Sequence, residues 1–171
     1  MNALFLDRDG VLNRLRNNDY VKSPDELEIL PGTAEAITIC RRHFDLIIVV
    51  TNQQGIGKGL MTEADLKAIH AKLQESVSYG IDRIYSCPHL ASDHSFLRKP
   101  NIGMALWARR DFPGLRLKSC TMVGDNSTDM LFGRRAGMRT VLVGTNSTSA
   151  TDRPWLVDLC FPSLLHFARS L

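Results

Sequence analysis

Residues 5–11 read Phe-Leu-Asp-Arg-Asp-Gly-Val, and the rest of the chain is organised around them. An apolar run that begins at Ala3 meets two carboxylates, and a glycine follows at once. This order is typical of a short buried strand that ends abruptly. If the extended chain continues, Asp7 and Asp9 point to the same side, because side chains alternate along a strand. Such a pair binds a divalent cation, takes part in acid–base chemistry, or simply forms a polar turn.

Length and composition indicate one globular domain. A chain of 171 residues is long enough to bury a core on both faces of a sheet, so we expect a single domain over residues 1–171. Hydrophobic residues make up 44% of the chain and charged residues 23%, a globular composition with no sign of disorder. The net charge of +3 does not indicate a nucleic-acid surface, but it suits a small anionic substrate.

The apolar segments and the cysteines predict a cytoplasmic protein. The longest apolar run, residues 46–50, is far too short to cross a membrane. A strand predicted from the third residue leaves no room for a signal peptide. Four cysteines are widely separated, and three of them lie in apolar surroundings, as reduced core cysteines do. We therefore expect no membrane partner, and a monomer is the default expectation.

Strand patterns and helix patterns alternate along the chain. Strands are predicted near residues 3–6, 46–50, 81–86, 120–123, 140–143 and 157–161. Helices are predicted near residues 33–42, 62–79, 100–111, 128–136 and 163–171, with Pro100 in the first turn of its helix. Residues 13–26 and 145–154 are predicted loops. This alternation predicts an α/β protein with a doubly wound, mostly parallel sheet.

Polar residues stand at or just beyond four of the strand ends. Ligands bind at the carboxyl ends of strands in such sheets, so we expect these residues to gather at one edge. They are Asp7 and Asp9, Thr51 and Asn52, Arg98 and Lys99, and Asp125 and Asp129. Each one alone can be a turn residue or a helix cap. Together they provide carboxylates for Mg²⁺ and cations for a phosphate, which predicts phosphoryl transfer.

These residues resemble the motifs of the haloacid dehalogenase (HAD) superfamily of phosphohydrolases. The four motifs of that superfamily match Asp7-Arg8-Asp9, Thr51, Lys99, and Gly124-Asp125 with Asp129, in the right order and strand context. The chain is most similar to the small histidinol-phosphate and heptose-bisphosphate phosphatases, through residues 7–10, 50–53, 87–89 and 98–100. The chain has no large insertion after the first two motifs, so no large cap domain is expected.

The resemblance implies a Mg²⁺-dependent phosphomonoester hydrolase that works through an aspartyl phosphate. Asp7 would be the nucleophile, and Asp9 would be the general acid and then the general base. Mg²⁺ would be held by Asp7, the backbone carbonyl of Asp9, and Asp125.

The resemblance gives the remaining residues supporting roles. Thr51 and the Asn52 amide would bind the phosphoryl oxygens, and Lys99 would offset the negative charge gathered around Asp7 and the phosphate. Asp129 would orient Lys99 or its loop rather than bind metal. Arg98 would bind substrate.

The implied substrate is a small phosphorylated metabolite. D-glycero-D-manno-heptose 1,7-bisphosphate, losing its 7-phosphate, is the leading candidate, and its second phosphate would be held by Arg98, Lys58 or Arg14. Histidinol phosphate and other sugar phosphates are alternatives. A receiver domain of a signalling system uses the same residue types, but it carries its phosphorylated Asp on a middle strand. The middle strand here ends in Thr51, which argues against a receiver.

One loop departs from the pattern of the family. These phosphatases carry a structural zinc loop with Cys-x-His, a spacer, and Cys-x-Cys before Arg-Lys-Pro. Here Cys87 and His89 are present, but residues 95–97 are Ser-Phe-Leu. His94 and Asp93 are the remaining candidate ligands. Because a structural zinc site needs four ligands, we expect no zinc, and an apolar side chain of residues 95–97 packed in its place.

Overall fold

A six-stranded parallel sheet runs through the part of the protein that the structure describes. The computed structural model describes residues 1–144 and 154–171. In chain order its strands are β1 (Ala3–Leu6), β2 (Leu46–Asn52), β3 (Arg83–Cys87), β4 (Thr121–Gly124), β5 (Arg139–Val143) and β6 (Leu159–Phe161). They lie in the order β3-β2-β1-β4-β5-β6, and every neighbouring pair is parallel. The predicted doubly wound sheet is therefore confirmed. The predicted loop at residues 145–154 falls almost entirely outside the described residues.

The helices cover both faces of the sheet. Among the described residues they are α1 (Thr33–Cys40), α2 (Gln54–Gly57), α3 (Glu63–Ser76), α4 (Gly103–Asp111), α5 (Ser127–Ala136) and α6 (Leu164–Arg169). Leu4 and Leu6 of β1 face a core shared with α1, α3 and α6, whereas Ala3 and Phe5 face the core under α4 and α5. This alternation is why all four residues of β1 are apolar. None of the described helices is long and apolar enough to cross a bilayer.

The central position of β1 places the opening motif at the middle of one sheet edge. Leu6, the last residue of β1, pairs with Val49 on β2 and with Val123 on β4. The chain first builds the β2–β3 side and then returns to build the β4–β6 side, so the strand order reverses between β1 and β4. Open α/β sheets bind ligands at such a reversal, beyond the carboxyl ends of the strands. Asp7 leaves β1 at this point.

The segment before α4 differs from its prediction. The helix begins at Gly103, so Pro100 does not lie in its first turn, and the Lys99–Pro100 peptide bond is cis. Residues 96–103 instead fold back on themselves, because the Gly103 amide donates to the Phe96 carbonyl over 3.1 Å. Leu97 packs into the core under α4, while Phe96 is 58% exposed. Of the two apolar side chains among residues 95–97, only Leu97 packs into the core.

Candidate active site

A cavity of about 440 Å³ opens at the carboxyl edge of the sheet, where the opening motif ends. Six of the residues predicted for the site line it: Asp7, Asp9, Asn52, Arg98, Lys99 and Asp129. Two others, Thr51 and Asp125, are buried, with exposed fractions of 1% and 8%. The fold therefore brings together at one edge the polar residues that the sequence spreads over more than a hundred positions.

Three carboxylates meet at the strand-order reversal. Asp7, Asp125 and Asp129 each offer one oxygen, and these three oxygens lie within 4.8 Å of one another. Two glycines make this approach possible. A Cβ on Gly10, which has a φ of +89°, would lie 2.1 Å from a carboxylate oxygen of Asp125. A Cβ on Gly124 would lie 2.2 Å from the Cβ of Asp129, so both positions require glycine.

Lys99 lies between two of these carboxylates and is buried. Its Nζ donates to Asp7 Oδ1 over 2.9 Å and to Asp129 Oδ1 over 2.6 Å. The backbone of Lys99 is fixed by Asn52, whose side-chain amide donates to the Lys99 carbonyl and accepts from the Lys99 amide. Asn52 thus positions Lys99, and its predicted contact with substrate stays a prediction. Asp129 binds Lys99 and also accepts from the Asp125 amide over 3.3 Å, a contact set that agrees with the orienting role expected for it.

The three carboxylates and Lys99 together carry more negative than positive charge when all are ionised. Burial, reinforced by Asp129, raises the pKa of Asp7 to about 7. Burial and the neighbouring Asp7 raise the pKa of Asp125 to about 6. Burial opposes the charge on Lys99, but Asp129 and Asp7 together raise its pKa, so it stays a cation. Three carboxylates therefore face one ammonium, and this excess of hard oxygen donors fits Mg²⁺.

Mg²⁺ should stabilise the protein more at alkaline than at acid pH. Because the folded-state pKa values of Asp7 and Asp125 are raised, the stability of the metal-free protein falls as the pH rises through about 6 and about 7. A divalent cation bound by Asp7 and Asp125 offsets the negative charge that these two side chains acquire as they ionise. We expect the increase in Tm on adding Mg²⁺ to be several degrees larger at about pH 8 than at about pH 5. Scanning calorimetry with and without Mg²⁺ measures it, and equal increases at both pH values would contradict the assignment.

Asp9 is held by four hydrogen bonds from three side chains. Arg8 Nη2 donates to both carboxylate oxygens, over 2.9 Å to Oδ1 and 3.0 Å to Oδ2. Asn13 Nδ2 donates to Oδ1 and Gln53 Nε2 to Oδ2, each over 2.9 Å. Burial acts to raise the pKa of Asp9, but Arg8 and the other donors outweigh it and lower the pKa. The carboxylate is therefore held ionised and in one orientation.

Two of the residues around Asp9 were missed by the sequence analysis and bear on function. Gln53 is 1% exposed, and its Nε2 donates to Thr51 Oγ1 over 2.8 Å as well as to Asp9. The Thr51 oxygen thus accepts a hydrogen bond, which leaves its own hydrogen to donate to a phosphoryl oxygen. Gln53 follows Thr51 by two positions, and side chains two positions apart on a strand point to the same side. This alternation at the end of β2 was the available indication that Gln53 lies beside Thr51.

The second missed residue is Arg8, the middle residue of the opening motif. It is fully buried, and its Nη1 lies 3.4 Å from Nε2 of His70 on α3. Burial and the adjacent Arg8 lower the pKa of His70 to about 4, so the imidazole is neutral beside the guanidinium. The superfamily motif does not specify the residue at position 8, so it gives no indication that Arg8 contacts His70.

The loop after β3 carries the remaining predicted residues. Cys87 is buried and His89 is exposed, and neither lines the cavity. Among the described residues, the one group of three or more potential metal ligands is the aspartate trio, so those residues bring no third ligand to Cys87 and His89. Asp93 instead accepts from the Leu90 amide over 2.8 Å. The absence of zinc stays a prediction, and a direct metal analysis tests it.

Three comparisons place the chain among known proteins. A family described as HAD-hydrolase-like matches residues 96–166. A Mycobacterium bovis protein named D-glycero-alpha-D-manno-heptose-1,7-bisphosphate 7-phosphatase is 37% identical over 170 residues, which cover 97% of this chain and 89% of the relative. A Bordetella bronchiseptica protein named as the phosphatase of the beta anomer is 35% identical over 154 residues, covering 88% of this chain and 85% of the relative.

A solved structure agrees with these relatives. The crystal structure of D,D-heptose 1,7-bisphosphate phosphatase from B. bronchiseptica, complexed with magnesium and phosphate, superposes with a TM-score of 0.89 and 32% sequence identity. The match covers 99% of this chain and 97% of that one, so no large cap domain separates the two folds. The chain belongs to the haloacid dehalogenase superfamily of hydrolases, in its group of heptose-bisphosphate phosphatases.

Proposed function

We propose that the protein is a cytoplasmic, Mg²⁺-dependent phosphatase that removes the 7-phosphate of D-glycero-D-manno-heptose 1,7-bisphosphate. The observation that carries the proposal is Asp7 at the end of β1, bound to Lys99 over 2.9 Å and facing the same cavity as Asp9. Every group that the chemistry needs comes from one chain, and a monomer remains part of the proposal. Four free cysteines suit a reducing compartment.

The nucleophile is one oxygen of Asp7. Its Oδ1 accepts from the Arg8 amide over 2.8 Å and from Lys99 Nζ, whereas Oδ2 makes no hydrogen bond within residues 1–144 and 154–171. We assign Oδ2 to the attack on phosphorus. The new O–P bond forms as the ester O–P bond breaks, which gives an aspartyl phosphate and an alcohol. Water then cleaves the aspartyl phosphate, and inorganic phosphate leaves.

Asp9 moves the protons in both steps. Binding of the anionic phosphate opposes the donors that lower the pKa of Asp9, so that its acid form donates a proton to the leaving alkoxide. The resulting carboxylate then takes a proton from the attacking water, which regenerates the acid form for the next turnover. The ionised carboxylate, held by Arg8, Asn13 and Gln53, is the form that the second step requires.

The surrounding residues bind the charge that the phosphate brings. When bound, Mg²⁺ would be held by Asp7, Asp125 and the backbone carbonyl of Asp9, and it would neutralise charge between nucleophile and phosphate. Thr51 donates its free hydroxyl hydrogen to a phosphoryl oxygen. Lys99 keeps its positive charge throughout and stabilises the added negative charge.

Arg98 is the residue that we assign to the second phosphate of the substrate. It lines the cavity, and so does Arg16, which the sequence analysis did not single out. Arg14 instead pairs with Glu28 over 2.9 Å at the surface. Lys58 lies 5.3 Å above the ring of Tyr20 and is not among the residues that line the cavity. Arg16 and Arg98 are thus better placed to bind the second phosphate than Arg14 and Lys58.

The substrate proposal predicts a clear preference. We expect kcat/KM for heptose 1,7-bisphosphate to exceed that for histidinol phosphate by about 10- to 100-fold, since a charge-assisted contact to a second phosphate contributes about 1.5–3 kcal/mol. Steady-state phosphate release with both sugar anomers and with histidinol phosphate measures it. Arg98→Ala should remove most of the preference while histidinol phosphate hydrolysis stays the same. Equal kcat/KM values in the wild type would refute the proposed substrate and leave the phosphatase chemistry untouched.

A further inference from the structure

The hydroxyl of Ser95 contacts several parts of the loop between β3 and α4. Ser95 Oγ lies 2.6 Å from Nδ1 of His89 and 4.0 Å from Sγ of Cys87, and it accepts from the Leu97 amide over 3.2 Å. The carbonyl of Ser95 accepts from Nδ2 of Asn101 over 2.9 Å. These contacts join the end of β3, the middle of the loop and the turn before α4. They help to hold the two ends of the loop together.

The same loop holds Arg98. Nη1 of Arg98 donates to the carbonyl of His89 over 3.2 Å, and no other side-chain hydrogen bond of Arg98 is made within the described ranges. Arg98 lines the catalytic cavity and also a cavity of about 230 Å³ that Ser95 lines. The position of the guanidinium therefore depends on where the His89 carbonyl lies. Ser95 binds the ring of the same residue, His89.

We propose that Ser95 is the positioning residue for Arg98, and through it for the second phosphate of the substrate. The proposal rests on the proposed function. Arg98 is half-buried on this loop, and an arginine loses much side-chain freedom when it binds an anion. A hydroxyl that orders the loop beforehand reduces that loss and so strengthens binding. Ser95 itself touches neither the phosphate nor the reacting atoms.

The test is Ser95→Ala, with Ser95→Thr and Ser92→Ala as matched variants. Ser95→Ala should raise KM for heptose 1,7-bisphosphate by about 3- to 10-fold, the effect of one lost hydrogen bond, with kcat changed by less than about 2-fold. KM for p-nitrophenyl phosphate, which has no second phosphate, should stay constant. Ser95→Thr keeps the hydroxyl and should resemble the wild type. Ser92 is exposed in the same loop, and its hydroxyl makes no hydrogen bond within the described residues, so Ser92→Ala should be silent.

A double variant separates positioning from general loosening of the loop. If Ser95 acts through Arg98, adding Ser95→Ala to Arg98→Ala should raise KM for the bisphosphate no further. Additive effects, an equal rise in KM for both substrates, or an unchanged KM in Ser95→Ala would each overturn the role of Ser95. In all three cases the wild type would still prefer the bisphosphate, which distinguishes them from failure of the proposed substrate.

Discussion

Replacing Asp7 with asparagine should lower kcat by about 10⁴-fold or more, because an amide oxygen does not form the covalent intermediate. Asparagine keeps the size of the side chain and an oxygen that can accept from Lys99 and from the Arg8 amide. The fold should therefore be preserved. Initial rates of phosphate release, with circular dichroism as the control for folding, measure both parts of the expectation. Hydrolysis at a rate like that of the wild type would contradict the assignment of the nucleophile.

The stability of the Asp7→Asn variant carries a second expectation. Asp7 is buried beside two other carboxylates, and its raised pKa means that the ionised form is disfavoured in the folded protein. Removing that charge should leave the metal-free Tm at about pH 8 equal to or above that of the wild type. The increase in Tm on adding Mg²⁺ should shrink in the same variant. A large loss of stability would instead indicate that Asp7 is required for folding.

The sequence predicted the parts of this site that depend on local patterns. An apolar run before Asp7, a β-branched run before Thr51 and a short strand before Asp125 indicate strands, and parallel strands align their carboxyl ends. The aspartates could be placed at one edge for this reason, without any knowledge of side-chain contacts. The resemblance to the HAD superfamily added their roles, and the comparisons support that resemblance.

The parts that the sequence did not predict are contacts between segments far apart in the chain. Gln53 reaches Asp9 across 44 positions and Arg8 reaches His70 across 62, and no local periodicity encodes such partners. Pro100 was misplaced for a similar reason. A proline before an apolar repeat favours a first helical turn, but the bond from Gly103 to Phe96 folds the chain back at this place. Tertiary contacts here outweigh a local preference.

Asparagine at position 9 should have a different effect from asparagine at position 7. We expect Asp9→Asn to lower kcat by about 10²- to 10⁴-fold, as loss of a general acid and base does. We also expect it to lower the free energy of unfolding by about 3 kcal/mol, because it leaves a fully buried Arg8 without its anion. Asp9 accepts four hydrogen bonds, so the amide group of asparagine must turn its N–H bonds toward donors.

Denaturant unfolding of Asp7→Asn, Asp9→Asn and Arg8→Met/Asp9→Asn measures the free energy of unfolding of each variant and so tests this expectation. The double variant removes the unpaired buried cation, although the amide of residue 9 still faces the donors of Asn13 and Gln53, so it should recover part of the lost stability. The lowered pKa of Asp9 also fixes the pH dependence: its contribution to stability is present above about pH 4 and is lost as the pH falls through the folded-state pKa. The difference between wild type and Asp9→Asn should therefore narrow in acid. A difference that is constant with pH would mean that the charge on Asp9 does not hold Arg8 in the core.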